Sequence, residues 1–139
     1  MKAWVLLPYP VGANRIWRNF RGRAVLSKEA TEWKRAAQAE CEGIPWFYGE
    51  VEVFYRLHPR KNKDGSASKV PLDVDAGGKL LLDALQGVIY ADDAQAVAQG
   101  SIVGEAVEGG GISFICLPAA GRMKAFLDAL APPTQSETA

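Results

Sequence analysis

Residues 71–95 read PLDVDAGGKLLLDALQGVIYADDAQ, five aspartates and one lysine set around a single short helical pattern. If the chain is extended at Asp73 to Asp75, strand alternation sends both carboxylates to one side and turns Val74 toward the core. Asp75 is then placed to open a helix over Ala76–Gln86, where its charge favours the positive end of the dipole, and Gly87 follows the last turn. Leu81, Leu82 and Leu85 supply the apolar face of that helix, while Lys79 and Asp83 lie one turn apart on its polar side. Val88-Ile89-Tyr90 returns the chain toward a sheet and sets Asp92 and Asp93 at the start of the next strand.

The flanking sequence supplies the rest of the fold. Upstream, Val51–His58 alternates cleanly, with Val51, Val53, Tyr55 and Leu57 on one face, and is the clearest strand in the chain. Ser27 is a good N-cap for a helix that ends before Gly43, with Ala30, Trp33, Ala37 and Cys41 as its buried stripe. Ile16 to Leu26 resembles a ragged hairpin turning near Arg21-Gly22, and Ala3 to Leu7 is a β-prone run stopped by Pro8-Tyr9-Pro10. Downstream, Gln95 to Val107 reads as a strand with Gly100 and Gly104 as bulge or close-approach positions, and Ile112 to Leu117 as a strand pairing back on it as a hairpin. Arg122 to Leu130 has helical spacing. These elements predict a single α+β domain: a mixed sheet of about five strands flanked by the Ser27 and Ala76 helices and a short C-terminal helix. They do not alternate regularly enough for a doubly wound sheet. The domain spans residues 1–130, and residues 131–139 have the composition of a flexible tail.

At 139 residues the chain suffices for one core without disulfides or structural metal. Cys41 and Cys116 are far apart and no signal-peptide pattern precedes them, so we expect reduced core thiols in a cytoplasmic protein. No apolar run approaches the roughly 20 residues needed to span a bilayer, so no membrane association is expected. Net charge is zero but unevenly distributed. Residues 1–70 hold 13 Lys and Arg against 7 Asp and Glu, whereas residues 71–139 hold 3 against 9. A basic half beside an acidic half suits a metal-carboxylate site facing a polyanion, unless the split is accidental.

Within the basic half, Arg15, Arg18, Arg21 and Arg23 are interleaved with Trp17 and Phe20. Arginines contact phosphates and exposed aromatics stack on bases, although the same pattern also describes a hairpin whose aromatics pack inward. Residues 59–70, PRKNKDGSASKV, read as a mobile basic loop carrying Arg60, Lys61, Lys63 and Lys69 directly ahead of the acidic stretch. His58, the single histidine, ends a strand and is read as a surface residue ahead of a general base.

Converging carboxylates repel and raise one another's pKa, so a folded site made of them calls for a cation, and hard oxygen ligands suit Mg²⁺. Such an ion activates water, and a pair of ions about 4 Å apart holds the attacking and leaving oxygens of a phosphodiester. Lys79 would neutralise a non-bridging oxygen or orient the water. A purely structural alternative fits the spacing equally well: Asp73 and Asp75 make a turn, Asp92 and Asp93 cap a loop, and Lys79 pairs with Asp83. An EF-hand beginning at Asp73 is excluded, because its fifth, sixth and twelfth positions are Gly77, Gly78 and Ala84. There is no Walker loop, zinc spacing or serine triad.

Taken together, the motifs resemble those of the RusA family of Holliday-junction resolvases. LPYPVGANRIWRNFRGRAVLS is similar to that family's LPxPxxxNRxxR opening, and LDVDAGGKLLLDALQGVIYADDAQ to its DxDNxxK followed by DAL, Gly and DDxQ. The resemblance implies a Mg²⁺-dependent homodimer, with Mn²⁺ as a substitute, that resolves four-way DNA junctions by paired symmetric nicks. It implies Asp73, Asp75 and Asp93 as metal ligands, Lys79 as the catalytic lysine, and Asp92 as the weaker member of its pair. Asn14 and Arg15 belong to the opening motif. With Arg18, Arg21, Arg23, Arg60, Lys61, Lys63 and Lys69 they form the expected DNA-binding set. Ala76 stands where the family has asparagine, which keeps a catalytically weak branched-DNA-binding protein as a rival, beside a metal-dependent nucleotide phosphohydrolase.

Overall fold

A computed structural model describes residues 4–70 and 77–130. Asp73, Asp75 and the expected tail at 131–139 lie outside the described residues. The elements are β1 (Val5–Leu7), β2 (Trp17–Phe20), β3 (Arg23–Leu26), α1 (Lys28–Glu40), β4 (Val51–His58), α2 (Gly78–Leu85), β5 (Ala96–Val103), β6 (Gly111–Pro118) and α3 (Arg122–Ala129), with short 3-10 turns at Ala13–Arg15 and Asp93–Gln95. The chain is a single α+β domain.

The main sheet has four strands in the order β1-β6-β4-β5, and β2 and β3 form a separate two-stranded sheet. The main sheet is mixed: β4 runs antiparallel to β6 but parallel to β5, with Val53 beside Gln99 and Tyr55 beside Ser101. The mixed main sheet accords with the expected α+β architecture, and the hairpin forms its own two-stranded sheet beside it. One expectation is corrected: β6 does not pair back on β5, because β4 lies between them. Parallel neighbours need a crossover rather than a tight turn, and the segment carrying α2 supplies it between β4 and β5.

As the central long strand, β4 is buried on both faces. Val51, Val53, Tyr55 and Leu57 enter the core, where Leu80, Leu81, Leu85 and Tyr90 meet Trp33 and Ala37 of α1. Fully burying side chains of this size stabilises by roughly 1.5–3 kcal/mol each before chain entropy is charged against it. The α1 helix begins as its sequence dictates, with Ser27 Oγ accepting from the Ala30 N–H at 3.1 Å. Two side chains then fix its position: Trp33 Nε1 donates to the Pro8 carbonyl (3.0 Å) and Gln38 Nε2 to the Ala84 carbonyl near the end of α2 (3.2 Å).

The opposite face of β4 is polar and satisfied. Glu52, only 1% exposed, accepts from the Ala120 and Arg122 N–H groups (both 2.9 Å) and from Arg122 Nη1 (2.6 Å), so it caps α3 from outside the helix. Burial alone pushes the Glu52 carboxyl up, but these hydrogen bonds outweigh it and hold the group below its ordinary value. His58 corrects another expectation. It is buried, with Nδ1 2.7 Å from the Glu105 carbonyl and Nε2 2.7 Å from Ser113 Oγ, so it is neither a surface residue nor free to act as a base.

The segment read as a mobile basic loop is a closed turn. Asn62 N–H donates to the Ser66 carbonyl, Ser68 N–H to the Arg60 carbonyl, and Asp64 Oδ1 accepts from both the N–H and the hydroxyl of Ser66. Cys41 and Cys116 are both buried, as expected of core cysteines, and burial, with Glu40 nearby, pushes the Cys41 thiol up to about 11. Among the described residues no helix is long and apolar enough to cross a membrane.

Candidate active site

The described part of the acidic stretch opens on α2, with Gly77 as its N-cap residue and no side-chain cap hydrogen bond. The expected helix start at Ala76, with the Asp75 charge at the positive end of the dipole, falls outside the described residues. Steric fit accounts for the paired glycines. A side chain at Gly78 would run into the Tyr55 hydroxyl, and one at Gly77 would crowd Ile112 and Pro10 at 3.2–3.3 Å. Only bare backbone lets the first turn of α2 sit this close to β4. The far end behaves as the sequence implies: Leu85 closes the helix and Gly87 takes a φ of +80°.

Lys79 projects from this first turn, exposed, and lines a cleft of about 340 Å³ with Tyr55, Gly78, Gln99, Gly100 and Ser101. No acid lies within ion-pair distance of it among the described residues, so the expected pairing with Asp83 is absent. A cation in the first turn opposes the helix dipole, typically at a cost of 0.3–1 kcal/mol, roughly speaking. Helix stability therefore does not explain Lys79, whereas an anion entering the cleft would.

The second acidic pair is built around two glutamines. Asp92 Oδ1 accepts from the Ala94 N–H at 2.8 Å, while Gln95 Oε1 accepts from the Ala91 and Asp92 N–H groups at 2.9 and 3.1 Å, a reciprocal cap. Gln95 Nε2 donates to the Phe47 and Gly49 carbonyls (3.1 and 2.8 Å), which ties the turn to the connector ahead of β4. Gln86 Oε1, just past α2, accepts from the Asp93 N–H at 3.0 Å. The two aspartates differ: Asp92 engages one carboxylate oxygen in the cap, whereas the half-exposed Asp93 carboxylate accepts no hydrogen bond among the described residues. Composition pointed to the acids; the glutamines that mount them went unread, although the capping spacing from Asp92 to Gln95 was the available signal.

Tyr90 completes the mount. Its ring is buried and its hydroxyl donates to the Leu82 carbonyl at 2.8 Å, one of the last four carbonyls of α2, which helix geometry leaves open. Burial, and then the charges of Cys116, Asp93 and Asp83, push the phenol well above its ordinary range. Lys79 and Gln86 are seven residues apart, about 10 Å along a helix axis, so Lys79 and the turn holding Asp93 mark opposite ends of α2.

Among the described residues no three His, Cys, Asp or Glu side chains are grouped to hold a metal. Asp93 is the one expected ligand that the structure describes, and a carboxylate with uncommitted oxygens beside solvent fits a hard divalent cation. Of the expected DNA contacts, Asn14 sits in the first 3-10 turn, Arg15 is exposed and pairs with Glu29 at 3.0 Å, and Arg18, Arg21 and Arg23 are exposed on the β2–β3 hairpin. Arg60 lies 3.7 Å over the Tyr9 ring, while Lys61, Lys63 and Lys69 are exposed around the closed turn. The hairpin aromatics do not pack inward: Trp17 is 50% and Phe20 47% exposed. A search of curated proteins finds no match to the chain. Residues 8–110, which run from the opening motif through the acidic stretch to the end of the turn before β6, match the family described as endodeoxyribonuclease RusA, and the chain belongs to that nuclease family.

Proposed function

We propose that the protein is a structure-selective endodeoxyribonuclease that resolves Holliday junctions by paired nicks, using Mg²⁺ or, in its place, Mn²⁺. One observation carries the proposal: the family match spans the acidic stretch, and within it the Asp93 carboxylate accepts no hydrogen bond among the described residues, on a turn held by Gln86, Asp92 and Gln95. Asp73, Asp75 and Asp93 would hold the metal, which when bound supplies an activated water and a counter-charge for the phosphate. Lys79, at the rim of the cleft and without an acid partner among the described residues, would stabilise charge on a non-bridging phosphate oxygen. Tyr55 and the two glycines shape the cleft wall and set where Lys79 stands.

DNA would be drawn by the basic half, through Asn14, Arg15, Arg18, Arg21, Arg23, Arg60, Lys61, Lys63 and Lys69. Arg15 and Arg60 are partly engaged within the protein, so the hairpin arginines and the lysines of the closed turn carry most of this role. The working unit would be a homodimer in the cytoplasm, each protomer nicking one strand. The catalytic domain would cover residues 1–130, followed by a flexible tail at 131–139. The test is cleavage of a labelled four-way junction with Mg²⁺. Paired nicks that disappear in Asp75→Asn and Asp93→Asn support the proposal. Tight junction binding without nicks under any divalent metal overturns it in favour of a binding protein, and turnover of free nucleotides in favour of a phosphohydrolase.

A further inference from the structure

The β2–β3 hairpin carries an aromatic group whose surroundings go beyond attraction to a phosphate backbone. Strand register puts Phe20 opposite Arg23 and Arg18 opposite Val25, so Arg18, Phe20 and Arg23 share one face of the ribbon. The guanidinium carbons of Arg18 and Arg21 each lie 5.2 Å from the Phe20 ring centroid. None of these three arginines has an acid within ion-pair distance among the described residues. Arg21 is held at a φ of +51° beside Gly22 at +74°, the positive pair of a two-residue primed turn, and it is the single positive-φ non-glycine among the described residues. From Arg18 a groove of about 630 Å³ continues onto α1, lined by Leu26, Lys28, Thr31, Glu32 and Arg35.

A half-exposed phenylalanine is common on protein surfaces, but one flanked by two guanidinium groups with no acid partner among the described residues, at the head of a groove where Arg18, Lys28 and Arg35 outnumber Glu32, which lies 3.9 Å from Lys28, has the make-up of a stacking platform. Intact duplex DNA stacks its bases on one another and offers such a ring no open π-face. A branch point, where a base can leave the stack, does. We propose that this hairpin is a binding site for one unpaired nucleotide at a DNA branch. Phe20 stacks on the base, one guanidinium leaves the ring to meet the adjoining phosphate, and Lys28 and Arg35 follow the strand along the groove. The inference rests on the proposed function only in taking DNA as the ligand, and it assigns Phe20, Lys28 and Arg35 roles that the opening motif does not give them.

The test uses the full chain and a four-way junction carrying 2-aminopurine at the branch, in EDTA so that binding is read without cleavage. Wild type is expected to raise the probe's fluorescence as the base leaves the stack. Phe20→Ala is expected to abolish the rise and weaken junction binding roughly tenfold, with duplex binding and Tm unchanged, and Phe20→Trp to restore both. No rise with wild type, or a Phe20→Ala protein matching wild type in fluorescence and affinity, overturns the site. Nicking by the same proteins in Mg²⁺ separates the two proposals. A Phe20-dependent rise without nicks leaves this site standing and removes the nuclease reading, whereas nicking with Phe20→Ala unchanged does the reverse.

Discussion

The acidic turn at 91–95 and the basic hairpin at 17–26 are both short, charged and at the surface, yet they are held in opposite ways. In the turn, the Gln95 side chain makes four hydrogen bonds, Gln86 holds the Asp93 N–H and Asp92 Oδ1 is engaged in its cap, while the Asp93 carboxylate accepts no hydrogen bond among the described residues. In the hairpin the ribbon forms a sheet of its own, and Arg18 and Arg21 meet an aromatic ring, with no acid within ion-pair distance among the described residues. The difference is the one expected between positioning chemistry and gripping a polymer. A reacting group must be fixed to within a fraction of an ångström, whereas a charged strand is held by many weak and adjustable contacts.

The sharpest way to break that comparison is to exchange the two neighbouring acids for their amides. Asp93→Asn should lower junction cleavage about a thousandfold through loss of a charged ligand, while Asp92→Asn, which keeps a capping oxygen, should cost less than about threefold. Equal losses in single-turnover assays would show that the turn does not distinguish them. Next in size, Lys79→Met should lower kcat about a hundredfold with junction affinity nearly unchanged, because its charge is proposed to matter at the transition state. A change confined to KM would move Lys79 into the binding surface.

Gln95→Leu tests the mount itself. It should lower stability by roughly 2–3 kcal/mol, read from urea unfolding, and cleavage about tenfold, since the carboxylate stays but loses its position. The hairpin should respond to a different measurement: Arg23→Gln should reduce the slope of log binding constant against log salt by about 1 while leaving the rate at saturation unchanged. The smallest effect lies outside both regions. The Glu52 carboxyl has a lowered pKa in the folded protein, so its contribution is present above the ordinary carboxylate pKa and is lost as pH falls through the lowered value. Tm of wild type should therefore drop with acidification over that window, and Glu52→Gln should start lower at neutral pH and flatten the dependence, with α3 as the element released.

Much of the framework was readable from residue order. The Ser27 cap, the Ala30-Trp33-Ala37-Cys41 stripe, the β4 alternation and the turn at Arg21-Gly22 stand where local rules put them, because each depends on contacts within a few residues. The errors share the opposite property. Pairing of β5 with β4 instead of β6 depends on segments far apart in the chain. So does the burial of His58 between Glu105 and Ser113. The Gly77-Gly78 pair broke the helix pattern for a reason visible only once Tyr55 was seen beneath it.

For function, the sequence by itself determined which chemistry was available: an acidic stretch with one lysine, a basic first half, and motif spacings that place the chain in a nuclease family. Side-chain types and intervals are enough for that. Only the tertiary structure decided which of two adjacent aspartates lacks a hydrogen-bonded carboxylate among the described residues, that Asp83 does not pair with Lys79, and that Phe20 is half-exposed between arginines. Those outcomes are settled by which distant partner claims each polar group first, and a linear pattern of charges does not carry that information.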